Sequence, residues 1–432
     1  MRVLMFGWEF PPHISGGLGT ASYGLTKGMT AMKDMEVIFV VPKAWGDEDQ
    51  SGVRLIGANK VPVAFKKIYY KGTRQTIEKI EVSSKIIPYT DPEDFWKYTR
   101  TEVSGYNMFV QTNNHGLVDF SGKYDCNLLD EIHKYSIIAS VIAEENNFDV
   151  IHAHDWLAYP AGIAAMEVSG KPLVIHVHAT DFDRSGGNVN PDVYWIEKRG
   201  MDAATRIITV SNLTRDIVIN KYNIDPAKVE TVYNAVEHIS IAEDNHIQKG
   251  FDDKVVTFLG RITLQKGPEY FIEAACKVLK VMKNVRFVMA GSGDMMERMM
   301  RRAAALKITD RFHFTGFLRG KDVFTMLALS DVYIMPSVSE PFGISPLEAM
   351  QSSVPVIISK QSGVAEILTH AVKVDFWDID AMADAIYGIL SYPALSKEFI
   401  KNGKEEVIRI KWDNSARHVR NIYEEVVKKH NG

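Results

Sequence analysis

Two basic side chains stand just after an apolar run, in the segment FLGRITLQKG. The run Val255–Leu259 is typical of a strand buried on both faces of a parallel sheet, and Arg261 and Lys266 follow it. Open parallel sheets bind ligands at the carboxyl ends of their strands. A guanidinium and an ammonium placed there can neutralise a diphosphate and stabilise its charge as it leaves. The alternative is a solvated basic loop without a ligand.

Two glutamates flank the start of a predicted helix in the segment SEPFGISPLEAM. Glu340 lies in the loop after a strand, and Glu348 lies about one turn into the helix. Carboxylates at different depths of one cleft can accept hydrogen bonds from two sets of hydroxyls, such as those of a sugar and a ribose. The N–H groups of Gly343, Ile344 and Ser345 are predicted to point at phosphate oxygens, because a helix N-terminus carries partial positive charge.

Glycine turns follow two other predicted strands. PPHISGGLGT places Gly16, Gly17 and Gly19 after the first strand, and VMAGSGD places Gly291 after a strand of the second half. Glycine lets the backbone approach an anion closely, so we predict that these four residues contact the ligand. A dinucleotide-dependent oxidoreductase is a rival interpretation, but the first loop lacks full GxGxxG spacing and no acidic residue ends the strand Val37–Val41.

The elements that must position these residues recur along the whole chain. Short apolar runs alternate with segments of helical period, which predicts βαβ units with right-handed crossovers. The runs are Val3–Phe6, Val37–Val41, Val150–His154, Leu173–His178, Ile207–Ser211, Thr231–Tyr233, Val255–Leu259, Val285–Ala290, Phe312–Thr315, Val332–Met335 and Val354–Ile358. The pattern stops in a polar segment at 237–253 and then starts again. The prediction is therefore an α/β chain of two Rossmann-like, doubly wound domains facing each other across a cleft.

The predicted boundaries are 1–240 for the first domain and 241–411 for the second. A helix over 412–432, capped within Asp413-Asn414-Ser415, is expected to pack back on the first domain. The stretch 60–116, rich in Lys, Tyr and Phe, is predicted to be an extra-strand insertion. It is either a decoration of the fold or a contact for substrate.

Composition excludes several classes of protein. The chain has 432 residues, 46% hydrophobic and 24% charged, so it is neither disordered nor collagenous. A net charge of −4 argues against a surface made to bind nucleic acid. Cys126 and Cys276 form no CxxC or Cys/His cluster, so neither a disulfide framework nor a structural zinc site is supported. Without an apolar run of about 18–20 residues, the protein is expected to be soluble and cytoplasmic; its oligomeric state stays open.

The motifs together resemble the retaining glycosyltransferases of GT-B architecture, of the group 1 or glycogen synthase-like type. The resemblance spans the chain and is carried by SGGLG, HAHDW, HVHATDFDR, VYNAVE, GRITLQKG and EPFGISPLE. It implies transfer of a sugar from a nucleotide diphosphate sugar to an acceptor hydroxyl with the α configuration kept. In the second domain it implies that Arg261 and Lys266 bind the pyrophosphate, that Glu348 holds the ribose hydroxyls and that Glu340 faces the donor sugar.

In the first domain the resemblance implies a different set of roles. His178 is similar to a histidine near the anomeric centre that bonds a sugar hydroxyl, although it could be a satisfied histidine at a strand end. Asp155 and Trp156 are similar to a pair that lines the cleft in glycogen synthases. Arg184 and Asn234 are further carry-overs. The predicted catalytic set is therefore His178, Arg261, Lys266, Glu340 and Asp155.

The resemblance favours glucose transfer from ADP- or UDP-glucose to an α-glucan. Ile14 stands where bacterial ADP-glucose-dependent glycogen synthases carry a lysine, and Glu348 is kept where many of them lack it. Both departures point to the broader group, so a polysaccharide or glycolipid acceptor is the second hypothesis, and a nucleotide-sugar epimerase or a glycan-binding module are rivals. Asp181-Phe182-Asp183 has a D-x-D form, but a structural or acceptor-contacting role is favoured. No cofactor and no metal are expected.

Overall fold

The computed structural model describes residues 1–14, 16–50, 52–62, 66–67, 78–79, 116–122, 124, 128–238 and 249–432. Two parallel sheets organise it, and we call the part built on the first sheet the first lobe and the part built on the second sheet the second lobe. Nearly all of the predicted insertion at 60–116, and the predicted boundary at 240/241, fall outside the described residues, so these two predictions stay predictions.

The first sheet has seven strands in the order β3-β2-β1-β6-β7-β8-β9, and every neighbouring pair is parallel. Its strands are β1 Arg2–Phe6, β2 Glu36–Val41, β3 Arg54–Gly57, β6 Val150–His154, β7 Leu173–Val177, β8 Arg206–Thr209 and β9 Val229–Thr231. Two short strands, β4 Lys66–Lys67 and β5 Glu78–Lys79, form a separate antiparallel pair. The central strands are buried along their whole length because helices cover both faces.

The helices of the first lobe follow its strands in βαβ order. They are α1 Gly17–Thr30, α2 Leu128–Glu145, α3 Tyr159–Ser169, α4 Asp181–Ser185, α5 Pro191–Ala203 and α6 Asn212–Tyr222. Buried aliphatic and aromatic side chains form one core on each face of the sheet.

The second sheet has six parallel strands in the order β12-β11-β10-β13-β14-β15. They are β10 Lys254–Leu259, β11 Val285–Ala290, β12 Phe312–Gly316, β13 Val332–Met335, β14 Val356–Ser359 and β15 Val372–Val374. Its helices are α7 Pro268–Val281, α8 Met296–Ala305, α9 Lys321–Ala328, α10 Ser345–Gln351, α11 Val364–Ile367, α12 Ile379–Ser391 and α13 Pro393–Val407. Again, a core lies on each face.

The last helix, α14 Trp412–Asn431, returns to the first lobe and packs on α1. Two glycines of α1 make the close approach possible. A Cβ added at Gly24 would lie 2.3 Å from the ring of Trp412, and one at Gly28 would lie 3.0 Å from Ala416. The cap predicted within Asp413-Asn414-Ser415 is wrong. The N-cap is Lys411, and the Ser415 hydroxyl donates instead to the carbonyl of Tyr233.

Sequence reasoning missed two edge strands and shifted a third. Arg54–Gly57 and Val372–Val374 are short and lie at sheet edges, so their sequences lack the continuous apolar run of a buried strand. The strand predicted at Thr231–Tyr233 is observed at Val229–Thr231. Among the described residues, no helix combines the length and the apolar composition that spanning a bilayer requires.

Candidate active site

The strand orders place the candidate residues at two topological switch points. In the first sheet the order in which strands are added reverses between β1 and β6, and in the second sheet it reverses between β10 and β13. Loops that leave neighbouring strands in opposite directions open a crevice at the carboxyl edge, where ligands of doubly wound sheets bind. Asp155 follows β6, Arg261 follows β10 and Glu340 follows β13, so three predicted site residues lie at these points.

The loops after β10 and β11 are held together by glycines. A Cβ at Gly291, whose φ is +146°, would lie 1.8 Å from the carbonyl oxygen of Gly260, and a Cβ at Gly293 would lie 2.3 Å from that of Ile262. Only residues without side chains allow this approach. The glycine turn at Gly291 therefore shapes the loop that carries Arg261.

Lys266 and Glu340 form an ion pair in the second lobe. Lys266 ends the 3₁₀ turn Leu264–Lys266, and its Nζ lies 2.5 Å from Oε2 of Glu340, which also accepts from the Ser337 hydroxyl at 3.1 Å. The Glu340 side chain is buried, whereas Arg261 is exposed. The pair thus fixes one cation of the site and leaves the guanidinium of the other facing solvent.

Glu348 lies on the first turn of α10, as predicted from its position in the sequence. Burial raises the pKa of its carboxyl to about 7. Burial, and after it the charges of Glu340 and Glu348, raises the pKa of Tyr333, whose hydroxyl lies 2.7 Å from Oγ of Ser345. Both glutamates therefore lie within electrostatic reach of one tyrosine hydroxyl.

In the first lobe, Asp155 is fixed by a buried network. It has a positive φ of 62°, and its carboxylate accepts from Nη2 of Arg184 at 3.0 and 3.2 Å and from the N–H of Trp156 at 3.0 Å. Burial raises the pKa of Asp155, and the charges of Arg184 and, more weakly, Arg261 oppose it. The influence of Arg261 places a cation of the second lobe near a carboxylate of the first.

Sequence reasoning missed Glu197, the second partner of Arg184. Nη1 of Arg184 lies 3.1 Å from Glu197, which also accepts from the Tyr222 hydroxyl and from the N–H of Asp181. Burial raises the pKa of Glu197 to about 7 against the opposing charge of Arg184. Its burial could have been predicted from the helical spacing, because Glu197 lies on the same face of α5 as the buried residues Ile196 and Gly200.

His178 directly follows β7 and begins the short segment that leads to α4. Its Nε2 lies 2.9 Å from Nδ1 of His154, on the neighbouring strand β6. Burial lowers the pKa of His178 to about 3, so its ring is neutral. A neutral imidazole with one nitrogen engaged by His154 can offer the other to a ligand.

The D-x-D motif serves local structure. Oδ2 of Asp183 accepts from the N–H and the hydroxyl of Thr180, both at 2.8 Å, which closes the capping box of α4. Oδ2 of Asp181 accepts from the N–H of Asn190 at 2.6 Å. These carboxylates are therefore engaged by protein donors.

The two lobes touch beside these residues. The Ser339 hydroxyl donates to Asp183 at 2.5 Å, and the carboxylate of Glu366 accepts from the N–H groups of Asn212 and Leu213 at 2.9 and 2.8 Å. The turn Leu264–Lys266 packs on α4. The structure thus brings together Asp155, Arg184, Arg261, Lys266 and Glu340, which we call the interlobe site.

The first glycine loop follows β1, the other of the two strands that form the first switch point. Gly16 is the N-cap of α1, and a Cβ at Gly16 or Gly17 would meet nothing within 4 Å. A Cβ at Gly19 would lie 2.5 Å from Ile14, so Gly19 serves packing of the loop. Asn234 is buried and follows β9 along the chain.

Comparison with known proteins identifies the chain's relatives. Residues 241–406 match the family model of glycosyl transferases group 1, and residues 114–238 match that of glycosyltransferase family 4. An uncharacterized glycosyltransferase of Methanocaldococcus jannaschii is 27% identical, with 98% of each chain covered. Glycogen synthase of Mycobacterium tuberculosis is 21% identical over 98% of this chain and 94% of its own. The structure of sucrose-phosphate synthase from Thermosynechococcus elongatus superposes with a TM-score of 0.69 and 16% identity, covering 99% of both chains, which shows the two-domain GT-B fold.

Proposed function

The chain belongs to the group 1 glycosyltransferases, and we propose that it moves glucose from a nucleotide diphosphate glucose to a hydroxyl of an α-glucan, keeping the α configuration. The observation that carries the proposal is the convergence of Arg261, Lys266 and Glu340 with Asp155 at two facing switch points. Similarity to a glycogen synthase along nearly the whole chain supports an α-glucan acceptor.

On this proposal the donor lies along the second lobe. Glu348, one turn into α10, accepts hydrogen bonds from the ribose hydroxyls, and the N–H groups of Gly343, Ile344 and Ser345 face phosphate oxygens. The diphosphate takes the place beside Lys266 that Glu340 holds in the free protein, and Glu340 then receives hydroxyls of the sugar.

Front-face attack, with the leaving phosphate taking the acceptor proton, accounts best for retention. Double displacement needs an available carboxylate beneath the anomeric carbon. Of the two nearest carboxylates, Asp155 is engaged by Arg184, and Glu340, once displaced from Lys266, accepts hydrogen bonds from the sugar hydroxyls. The protein therefore contributes position and electrostatics, with Arg261 and Lys266 stabilising the departing diphosphate and His178 bonding a sugar hydroxyl.

The same cations make a divalent ion on the diphosphate unnecessary. In metal-dependent transferases a D-x-D pair holds that ion, but Asp181 and Asp183 are hydrogen-bonded within the first lobe and to Ser339. We therefore propose a metal-independent transfer with no cofactor other than the nucleotide sugar.

The test is nucleotide release from purified protein given ADP-, UDP- or GDP-glucose, with and without maltooligosaccharides. Acceptor-dependent release, with an α-linked product by NMR, supports the proposal. Release that needs a lipid or another polysaccharide selects the second hypothesis, a polysaccharide or glycolipid acceptor. That hypothesis is favoured by Ile14, which stands where ADP-glucose-dependent glycogen synthases carry a lysine. Free epimerised sugar without any acceptor identifies an epimerase and contradicts transfer.

A further inference from the structure

Four histidines form a stack of rings in the first lobe. His152 and His154 point to one face of β6, and His176 and His178 continue the stack from β7. The ring centroids within each strand's pair are 4.3 Å apart, and His154 and His176 are 5.4 Å apart between the strands. His152 and His154 are fully buried and His176 is 2% exposed.

The three buried rings carry nitrogens without partners. Within the part of the chain that the structure describes, Nε2 of His152, Nε2 of His154 and both nitrogens of His176 have no hydrogen-bond partner. A buried polar atom left unsatisfied costs about 1–3 kcal/mol, and native cores contain few of them. Three neighbouring histidines with this feature call for a ligand that takes lone pairs.

The remaining nitrogens are held in the way that metal-bound histidines are held. Nδ1 of His152 bonds the Tyr423 hydroxyl of α14, and Nδ1 of His154 bonds Nε2 of His178. At His154 we assign the proton to Nδ1, because a proton on Nε2 would leave a buried donor unpaired. At His152 the bond to Tyr423 is compatible with either tautomer, and a bound ion would select the one with Nε2 free. A metal-ligating histidine similarly donates its second N–H to a neighbour, which fixes the ring and directs the free lone pair.

We propose that His152, His154 and His176 bind one divalent transition ion of the zinc or cobalt class, through Nε2 of the first two rings and one nitrogen of the third. One ring nitrogen from each lies within 4.8 Å of the other two. A tetrahedral ion with bonds of about 2.0–2.1 Å needs these nitrogens roughly 3.3 Å apart, so binding turns the stacked rings inward. Imidazole is a preferred ligand of zinc, copper, iron and nickel.

Burial supports the neutral form that an ion requires. Burial, and after it the neighbouring histidines, lowers the pKa of all three rings well below the ordinary value. The ion joins β6 to β7 and, through Tyr423, to the C-terminal helix. It lies among rings that are buried in the core of the first lobe, so its role is to stabilise the lobe, and no step of the proposed transfer needs it.

The test is metal content of the full-length protein, which does not depend on the proposed function. Protein from zinc-supplemented cells is expected to hold one zinc per chain by mass spectrometry of the metal. Protein from cobalt-supplemented cells is expected to show the d–d absorption of a nitrogen-ligated ion. His176→Leu, an apolar replacement for a buried ring, should lose both, and His154→Gln should lose most of the metal. The matched control is His418→Gln, which removes an exposed histidine paired with Glu230.

Zinc bound by the wild type and by His418→Gln but not by folded His176→Leu upholds the site. Equal metal content in the wild type and His176→Leu, with no cobalt absorption, overturns it and identifies a stack of neutral rings or a buried water. Should His176→Leu fail to fold, the comparison of His154→Gln with His418→Gln decides in the same way.

Discussion

Oγ of Ser339 lies 2.5 Å from the carboxylate of Asp183 and donates a hydrogen bond to it from the second lobe to the first. Asp183 also caps α4, the helix that follows His178 and packs on the turn carrying Lys266. One carboxylate therefore links the cap of a first-lobe helix to the loop of the second lobe that precedes Glu340.

Ser339→Ala should favour an open arrangement of the lobes. A hydrogen bond to a charged group contributes about 1.5–3 kcal/mol, so we expect kcat to fall by roughly tenfold or more while Tm barely changes, because Asp183 keeps its bonds to Thr180. Small-angle X-ray scattering should show a larger radius of gyration. Ser169→Ala, which removes a helix-end hydroxyl far from the crevice, is the control. An unchanged kcat would show that this bond does not govern closure.

Lys266→Ala and Arg261→Ala should each lower kcat by on the order of 10²–10³, the loss found when one preorganised charge contact is removed. Arg261 is exposed, so its variant should keep the wild-type Tm. Lys266→Ala leaves Glu340 buried without its cation and should also lower Tm. Lys277→Ala, which removes an exposed ammonium paired with Asp380, is the matched control. Wild-type kcat in Arg261→Ala and Lys266→Ala would end their assignment to the diphosphate.

Glu348→Gln should weaken donor binding in a pH-dependent way. The Glu348 carboxyl has a pKa of about 7, so kcat/KM for the donor in the wild type should rise with pH as the carboxylate forms. The variant should have a lower kcat/KM and lose this rise. Steady-state kinetics over roughly pH 5.5–8.5 provide the measurement. The same rise in both proteins would assign the titration to another group.

The raised pKa of Glu348 also predicts how the free energy of unfolding depends on pH. The pKa of Glu348 is higher in the folded chain than in the unfolded chain. At a pH between these two pKa values, the folded chain therefore binds more protons than the unfolded chain. The free energy of unfolding should therefore fall as pH rises through that window. Glu348→Gln lacks this term, so its Tm relative to the wild type should increase between pH about 5 and about 8. A constant difference would show that burial does not act on Glu348.

Excess EDTA, added immediately before the donor, should leave the initial rate of transfer unchanged. On the proposed function Arg261 and Lys266 supply the positive charge, and Asp181 and Asp183 are engaged by protein donors. Addition of Mg²⁺ or Mn²⁺ should not raise the rate. Loss of activity that Mn²⁺ restores would place a divalent ion on the diphosphate and contradict the proposal.

Gly24→Ala should loosen the C-terminal helix. The added Cβ would lie 2.3 Å from Trp412, and such overpacking costs about 1–3 kcal/mol, more than the roughly 0.5–1 kcal/mol that alanine contributes within a helix. Denaturant unfolding measures the difference. Gly388→Ala, in α12, is the control, because nothing lies within 4 Å of the new methyl. It should raise the free energy of unfolding by the higher helix propensity of alanine alone. A stable Gly24→Ala would mean that α1 and α14 separate at little cost.

The sequence determined the buried frame of the fold. Central strands such as β1, β6, β7 and β10 are continuous apolar runs because both of their faces are covered, and that requirement is visible in each run alone. Alternation of strand and helix fixes the parallel topology, and parallel topology brings all loops after strands to one edge. The sequence alone therefore predicts that Arg261, Lys266 and Glu348 lie at that edge.

Which side chains meet depends on packing between parts of the chain that are far apart in sequence. Glu197 contacts Arg184 and Tyr222, which lie on two other helices, and Ser339 of the second lobe contacts Asp183 of the first. These residues are too far apart in the sequence for a local pattern to predict the contacts. The two H-x-H pairs are unremarkable in the sequence, since period-two spacing suits any strand. They become a cluster because β6 and β7 pair in a register that sets His154 beside His176. Contact between distant residues depends on strand order and register, which the long-range packing of the whole chain selects.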